Sequence, residues 1–456
     1  MRAVNTAYLQ IVFPVFESKN FRGVAARFRK YEQLERSPLA ENLRRQWESL
    51  KALLHYSYEN TAFYRKRFDQ AGLRPNLIES PADFQKLPVL TRNDIALHLD
   101  EMQSREFTRG SLHQAATGGT TDTPVPILRS PLSVLEKAAI QLRFNAWAGL
   151  LPGDKVFYLW GAVQDYSQHP SWRWRLYDRH LMRRVWAPTS LLNRAVLESH
   201  RLLLNQFRPK FIYAYPTALA IFCEYLRDSK KPFHRPVSAI CTAEPLFPEQ
   251  RKVIEDVLDR RVFEHYGSRE FGMIAGECEE HTGMHLNTHG AYVEFLPVEN
   301  SEIPGLQELL VTDLLNYGMP LLRYRVNDCV VIGDQRCGCA RGYPLLRQII
   351  GRTGDVFQLQ NGDRVPGVAF TNRVLQVCPG LAKVQVIQES LTMFRIRYVA
   401  GQNFCHTDLE LLETNLRRFV PGEVNWAFER VSEIPRERSG KTRFCISRIS
   451  PPPNAA

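Results

Sequence analysis

The chain has 456 residues, 44% of them hydrophobic and 23% charged, a globular composition that excludes a fibrous, disordered or membrane-embedded protein. No stretch approaches the roughly 18 unbroken apolar residues of a membrane span, and nine cysteines are too few, and odd in number, for a disulfide scaffold. Lys and Arg outnumber Asp and Glu by 59 to 48, a net charge of +11 that suits anionic ligands or surfaces.

Along the chain, the apolar run Tyr8–Phe16 is short, contains Pro14 and lacks a small-residue cleavage site, so no signal peptide and no transmembrane segment are expected. A soluble, cytoplasmic protein is the expectation. The run precedes a basic stretch, and a homodimer partner or a membrane-bound assembly are both open as its seat. The Arg-rich stretches Arg22–Arg45 and Arg173–Arg184 are interrupted by apolar residues and belong to no recognisable module, so no nucleic acid is expected as a partner. Residues 41–58 place Leu43, Trp47, Leu50 and Leu54 at helical spacing, and residues 131–149 and 189–207 follow the same pattern. Apolar runs at Val156–Trp160, Phe211–Tyr215 and Ala239–Cys241 alternate with these helices and predict buried parallel strands.

Beyond residue 291 strands come closer together, at Tyr292–Leu296, Glu308–Thr312 and Cys329–Ile332. After the turn Gly351–Asp355 the pattern is α+β. Phe394, Ile396 and Tyr398 alternate with Arg395 and Arg397, and Thr407 with Glu410 forms a capping box before the stripe Leu409, Leu412, Leu416 and Phe419. The prediction is an α/β protein with a large N-terminal domain, 1–352, and a small mobile α+β domain, 353–456. Cys223, Cys241, Cys329, Cys378, Cys405 and Cys445 stand singly among apolar residues and are expected in the core.

The segment Thr117-Gly118-Gly119-Thr120-Thr121-Asp122 combines paired glycines, which let backbone N–H groups approach an anion, with several hydroxyl donors. Such a loop suits phosphates, although no Walker-type Gly-Lys-Ser/Thr follows. Four further segments occur after it in order: Tyr266-Gly-Ser-Arg-Glu270, Pro320–Asp328, Gly351–Asp355 and Ser439-Gly-Lys-Thr-Arg443. With these the chain resembles the adenylate-forming superfamily of acyl-CoA synthetases, and within it the phenylacetate–CoA ligase branch with its capsule-biosynthesis-associated, CapK-like members. The resemblance covers nearly the whole chain, including Leu87–Ile95.

The resemblance implies a large multi-layer domain and a small domain that rotates between two half-reactions. It implies ATP held by Thr117, Gly118, Gly119, Thr120 and Thr121. Adenine would lie against Ala243, Glu244, Tyr266 and Gly267, and the ribose hydroxyls on Asp328. Glu270 would ligate Mg²⁺, a hard ion suited to a carboxylate oxygen. Arg352 and Asp355 fall at the family's hinge, Gly362 near the acceptor thiol, and Lys441 where an ammonium offsets charge as the acid attacks the α-phosphate. Trp160-Gly161, Tyr213–Tyr215 and Tyr266 are candidate walls for the acid, and aromatic side chains there favour an aryl or medium-sized apolar acid.

The expected reaction joins a carboxylic acid to CoA, or to an amine acceptor in polysaccharide biosynthesis, through an acyl-adenylate. Transfer of AMP to an acceptor and a non-catalytic binding role are the alternatives. Two positions depart from the family pattern. Asp122 stands where glycine is usual, and a carboxylate within about 4 Å of a phosphate oxygen costs roughly 4 kcal/mol at an effective dielectric near 20. Asn327 replaces a glycine, a milder change because Asn tolerates the left-handed region.

Cys337-Gly-Cys339, with Cys278 and either His281 or His285, has the composition of a closed zinc site. Some relatives carry a comparable structural Zn²⁺, and the Gly-Met-His pattern favours His285. Free thiols and a disulfide are the other readings of these cysteines.

Overall fold

The computed structural model describes residues 23–116, 125–160, 176–189, 192–298, 304–333, 337–352, 356–360, 364–366, 378, 380–401, 404–420, 422–434 and 445–449. Helix α1 (Val24–Leu34) is followed by α2 (Leu39–Asn60), which buries Leu50, Leu53 and Leu54. Leu43, expected on that stripe, is 40% exposed. The inward place in the first turn belongs instead to Asn42, whose amide donates to the Gly342 carbonyl at 2.8 Å. Thr61 caps α3 (Ala62–Gln70), and a Thr91/Asp94 capping box starts α4 (Arg92–Met102).

The chain divides into two units, one drawn from Met1–Glu294, Leu310–Val326 and Gly333–Arg347, the other from Phe295–Leu309, Asn327–Ile332 and Gln348–Ala456. In the first, strands β1 (His113–Ala116) and β2 (Pro126–Arg129) form a hairpin leading into α5 (Pro131–Trp147). A parallel sheet follows. It contains β3 (Val156–Trp160), β4 (Arg184–Pro188), β5 (Phe211–Ala214), β6 (Ser238–Thr242) and β7 (Val262–Ser268), in the order β4-β3-β5-β6-β7. The crossovers carry α6 (Arg194–Phe207), α7 (Pro216–Ser229) and α8 (Pro248–Leu258).

Both faces of this sheet are covered, which is why its strands read as unbroken apolar runs. Phe157, Leu159, Ile212 and Ala214 pack with Leu204, Phe222, Leu226 and Ile254 of the crossover helices. Phe211, Ile240 and Phe263 cluster with Tyr158 and Tyr213 on the other face. Beyond β7 the sheet turns antiparallel through β8 (Gly272–Glu277) and β9 (Met284–Leu286). Strands β10 (Ala291–Pro297), β11 (Leu306–Asp313), β12 (Tyr324–Ile332) and β13 (Leu345–Arg352) complete this part of the chain.

Buried Arg323 pairs with Glu294 at 3.1 Å and donates to the carbonyls of Gln85 and Leu87, fastening the Leu87–Ile95 segment to β10. Arg323→Ala leaves a buried carboxylate without its cation. It is expected to lower stability by about 3–5 kcal/mol, measured by urea unfolding.

The second unit holds the hairpin β14 (Val356–Gln358)–β15 (Arg364–Pro366) and a four-stranded sheet. In that sheet β16 (Leu381–Ser390) and β17 (Met393–Ala400) pair antiparallel, flanked by β18 (Asn425–Arg430) on β17 and β19 (Cys445–Ser447) on β16. Helix α9 (His406–Phe419) sets Leu412 and Leu416 against Val384, Val386, Phe394 and Ile396. Its cap lies two residues earlier than expected, because the Asp408 carboxylate accepts from the Cys405 N–H at 2.8 Å. Cys405 is therefore an exposed N-cap and not a core residue, whereas Cys223, Cys241, Cys329, Cys378 and Cys445 are buried. Among the described residues no helix is long and apolar enough to cross a membrane.

Candidate functional site

The carboxyl ends of parallel strands leave a rim of backbone and side chains where ligands of open α/β sheets commonly bind. Here that rim holds Trp160 at the end of β3, Tyr215 after β5, Ala243 and Glu244 after β6, and Tyr266 and Gly267 on β7. Ala243 adopts a φ of 71°, a left-handed conformation that costs a non-glycine residue about 1 kcal/mol or more. The Glu244 carboxylate accepts from the Thr217 N–H at 3.3 Å, so it anchors this loop to the first turn of α7. At Gly267 the β7–β8 register shifts, and a β-carbon there would run into the Gly272 carbonyl. Trp160 packs on Tyr215 and Tyr213, with ring centroids 4.4 and 6.1 Å away, and Tyr158 packs between Tyr213 and Trp186. The structure thus brings the predicted aromatic wall residues Trp160, Tyr213 and Tyr215 together; Gly161 lies outside the described residues.

Glu270, expected at the metal, is 8% exposed, and its backbone carbonyl accepts from Lys137 Nζ at 2.7 Å. The same ammonium meets the fully buried Asp313 carboxylate at 2.6 Å. Burial lowers the pKa of nearby Arg129, against the pull of Asp313. Sequence reading missed Lys137 and Asp313, because 176 residues separate them and neither lies in a recognisable motif. The Thr117–Asp122 loop falls in the connection of the β1–β2 hairpin and outside the described residues. Asp355, Gly362 and Lys441 also lie outside them, and Arg352 ends β13 with its side chain undescribed. Asp328 is half-buried on β12, and Asn327 before it has a φ of 59°, the conformation Asn tolerates.

Behind the rim lies a pair of carboxyls, Glu277 buried and Glu264 half-buried. Burial, then the neighbouring Glu277 charge, pushes Glu264 up to about 7, while its Oε1 accepts from the Leu246 N–H at 3.0 Å. Burial opposes ionisation of Glu277, but His281 and Arg251 hold its pKa down. Below pH 4.5 Glu264 is protonated in folded and unfolded chains alike, and between 4.5 and 7 only the unfolded chain ionises. Stability therefore falls across that window, by roughly 3 kcal/mol in all, and levels off above it. Glu264→Gln keeps the acceptor and removes the titration. Its advantage over wild type in urea midpoints is expected to grow from about pH 4.5 to about pH 8; an advantage independent of pH rules this out.

The cysteine constellation is assembled. Cys278 follows β8, His285 lies in the middle of β9 opposite Gly276 and Leu345, and Cys337 and Cys339 come from the turn before β13. Their four ligand atoms lie within 4.8 Å of one another, with Cys278 Sγ to Cys337 Sγ at 3.4 Å and Cys339 Sγ to His285 Nε2 at 3.3 Å. All four residues belong to one unit, and the cysteines are unbridged. His281, the other candidate imidazole, turns instead to Glu277 at 3.3 Å.

Residues 357–448 match the CapK C-terminal domain family. Protein CapK of Staphylococcus aureus is 23% identical over 424 residues, covering 92% of each chain. A phenylacetate-coenzyme A ligase of Thermus thermophilus is 26% identical over 346 residues, 73% of this chain and 75% of the relative. The crystal structure of 2-hydroxyisobutyryl-CoA ligase in its postadenylation state with 2-HIB-AMP superposes with a TM-score of 0.71 over 91% of both chains, at 19% identity. That of the anthranilate CoA ligase AuaEII with anthranoyl-AMP gives 0.54 over 74% of this chain and 66% of that one, at 14% identity. This chain is a relative of Protein CapK and the phenylacetate-coenzyme A ligases, has the fold of adenylate-forming CoA ligases, and carries a CapK C-terminal domain.

Proposed function

We propose that the protein is an AMP-forming ligase that activates a carboxylic acid with ATP and passes the acyl group to the thiol of CoA. The observation that carries this reading is the match along most of the chain to phenylacetate-coenzyme A ligases. In the first half-reaction a carboxylate oxygen bonds to the α-phosphorus and pyrophosphate leaves. In the second, the thiol sulfur bonds to the acyl carbon, AMP leaves, and the thiol proton goes to solvent.

Roles follow from the side chains. Thr117–Thr121 would cradle phosphates, Ala243, Glu244, Tyr266 and Gly267 would border adenine, and Asp328 would accept from the ribose. The division at 352/353 with a hinge at Arg352 and Asp355 would swing Lys441 out and Gly362 in. The cluster of Trp160, Tyr213 and Tyr215 supports an aryl or medium-sized apolar acid. The Glu270 carboxylate, in the field of Arg129 and on a backbone whose carbonyl holds a lysine already neutralised by Asp313, is a hard oxygen ligand for Mg²⁺, which when bound offsets triphosphate charge.

The cysteine cluster fits structural zinc. At Zn–S distances of about 2.3 Å a tetrahedral site has S···S edges of about 3.8 Å, close to the spacing between Cys278 and Cys337. Four protein ligands leave no open position, so zinc here would brace β8, β9 and the turn before β13 without touching substrate.

The test is acid-dependent ATP–pyrophosphate exchange with Mg²⁺ and a panel of aryl and aliphatic acids, then thioester formation with CoA or amide formation with amino sugars. Exchange with one class of acid and a CoA product is the expected result. ATP binding without exchange for any acid, unrelieved by Asp122→Gly, would defeat the reading in favour of a non-catalytic relative. AMP retained on an acceptor would mark an adenylyltransferase.

A further inference from the structure

The amino ends of the parallel strands form the edge opposite the candidate site, and nearly every strand begins there beside a basic residue. Lys155 precedes β3, Arg183 precedes β4, Arg208 and Lys210 precede β5, Arg235 lies just before β6, and Arg261 adjoins β7. The ladder extends past the strand ends and fixes their order. Val156 N–H donates to the Arg183 carbonyl, Lys210 N–H to Lys155, Val237 N–H to Lys210, and the Ser238 hydroxyl to Arg261. At about 4.8 Å per strand this row of cations runs roughly 20 Å along the sheet edge.

Several acids in this region are already engaged, although Glu280 is exposed and, among the described residues, unpaired. Asp154 holds Lys210, Asp178 holds Arg184, Asp259 holds Arg260, and Glu279 holds Arg341. Among the described residues, Lys155, Arg183, Arg208, Arg235 and Arg261 make no ion pair with an acid. Arg208 sits at the C-cap of α6, where a cation complements the helix dipole. Lys155 meets the same helix end, its ammonium donating to the Phe207 carbonyl at 3.2 Å, and Arg235 lies over the Phe233 ring at 5.0 Å; neither arrangement supplies an anion. Exposed apolar side chains lie in the same region: Val237 at 55%, two residues from Arg235, and Leu176 at 46%, three from Arg179.

We propose that this edge is a docking surface for an anionic lipid membrane, holding the enzyme peripherally with the opposite rim free. A row of cations suits a plane of headgroups better than one small anion, which needs donors converging on a point. Exposed Val237 and Leu176 gain energy by entering an interfacial layer and gain nothing against a polyphosphate backbone. Single-stranded nucleic acid calls for exposed aromatic faces, and the rings here are covered: Phe207 is buried under Lys155 and Arg179, and half-buried Phe233 packs on the core with Arg235 over its other face.

The experiment is co-sedimentation of the full chain with vesicles of phosphatidylcholine alone or with about 30% phosphatidylglycerol. Binding is expected to the anionic vesicles only, and to disappear between about 0.05 and 0.5 M salt. The variant Arg208→Gln/Arg235→Gln/Arg261→Gln should bind about 100-fold more weakly, at about fivefold per side chain, while still folding cooperatively with a melting temperature lowered by no more than a few degrees. Matched neutralisation of exposed Arg44 and Arg65, on α2 and α3, should have little effect. Equal binding to neutral vesicles, or full binding by the triple variant, overturns the proposal. Tighter binding to a short single-stranded oligonucleotide than to the anionic vesicles, compared at equal total phosphate and salt, overturns it in favour of nucleic acid.

Discussion

Lys441→Ala is expected to lower acid-dependent ATP–pyrophosphate exchange by about 10²–10³, the usual cost of removing one preorganised charge from a transition state. The acid and the α-phosphate both bring negative charge to the bond being formed, so the barrier is largely electrostatic. Lys441 lies in a short polar segment next to a glycine, four residues ahead of β19. Strand β19 itself pairs with β16, with Cys445 opposite Val386. The proposed role belongs to the first half-reaction alone. Lys441→Ala should therefore bind ATP nearly as tightly as wild type and still convert a synthetic acyl-adenylate and CoA to thioester. Lys441→Arg keeps the charge but changes its shape and donor geometry, and should recover only part of the rate. Undiminished exchange in Lys441→Ala would remove Lys441 from the mechanism, and parallel loss of both half-reactions would point to a folding defect.

The parts of this molecule that sequence made legible are those where one local rule acts alone. Val156–Trp160 is buried on both sides, and its apolar run coincides with the observed strand. The zinc-type residues announce themselves by chemistry, and β-pairing of His285 with Gly276 and Leu345 then draws them together. Elsewhere tertiary structure overrode the local signal. Strand β12 begins at Tyr324, but only Cys329–Ile332 reads as apolar, because Arg325, Asn327 and Asp328 interrupt the pattern and Asn327 takes a left-handed conformation. Leu43 has helical spacing, yet Asn42 faces inward to reach a carbonyl 300 residues away. The Lys137–Asp313 pair depends on α5 crossing near the end of β11, which no spacing encodes. Chemistry-bearing motifs are local, whereas the ion pairs that hold them are not.

Removing one thiolate from the cysteine cluster is the other change with a large expected effect. Structural zinc binds small domains with about 10–16 kcal/mol of apparent free energy near neutral pH, and that energy counts toward folding. In this chain the site joins three backbone segments, the end of β8, β9 and the turn before β13. Its surroundings are already packed: the His285 ring lies 5.7 Å from that of Trp147, and Arg341 covers the same indole at 4.8 Å. The unit has its own core, so zinc loss should weaken it without unfolding it outright. Cys337→Ser is expected to lower zinc content from one ion per chain to none by elemental analysis, and to cost about 4 kcal/mol or more in urea unfolding. A chelator applied to the wild type should produce the same shift, and added zinc should reverse it. His281→Ala should keep the metal, since its ring faces Glu277. Wild-type protein purified without metal, with Cys278, Cys337 and Cys339 all free thiols at full stability, would return these residues to ordinary packing. A mass two hydrogen atoms lighter that reverts on reduction would make them a disulfide. Either result would leave Lys441 and the ligase reading untouched, because the proposed zinc braces the fold and takes no part in bond making.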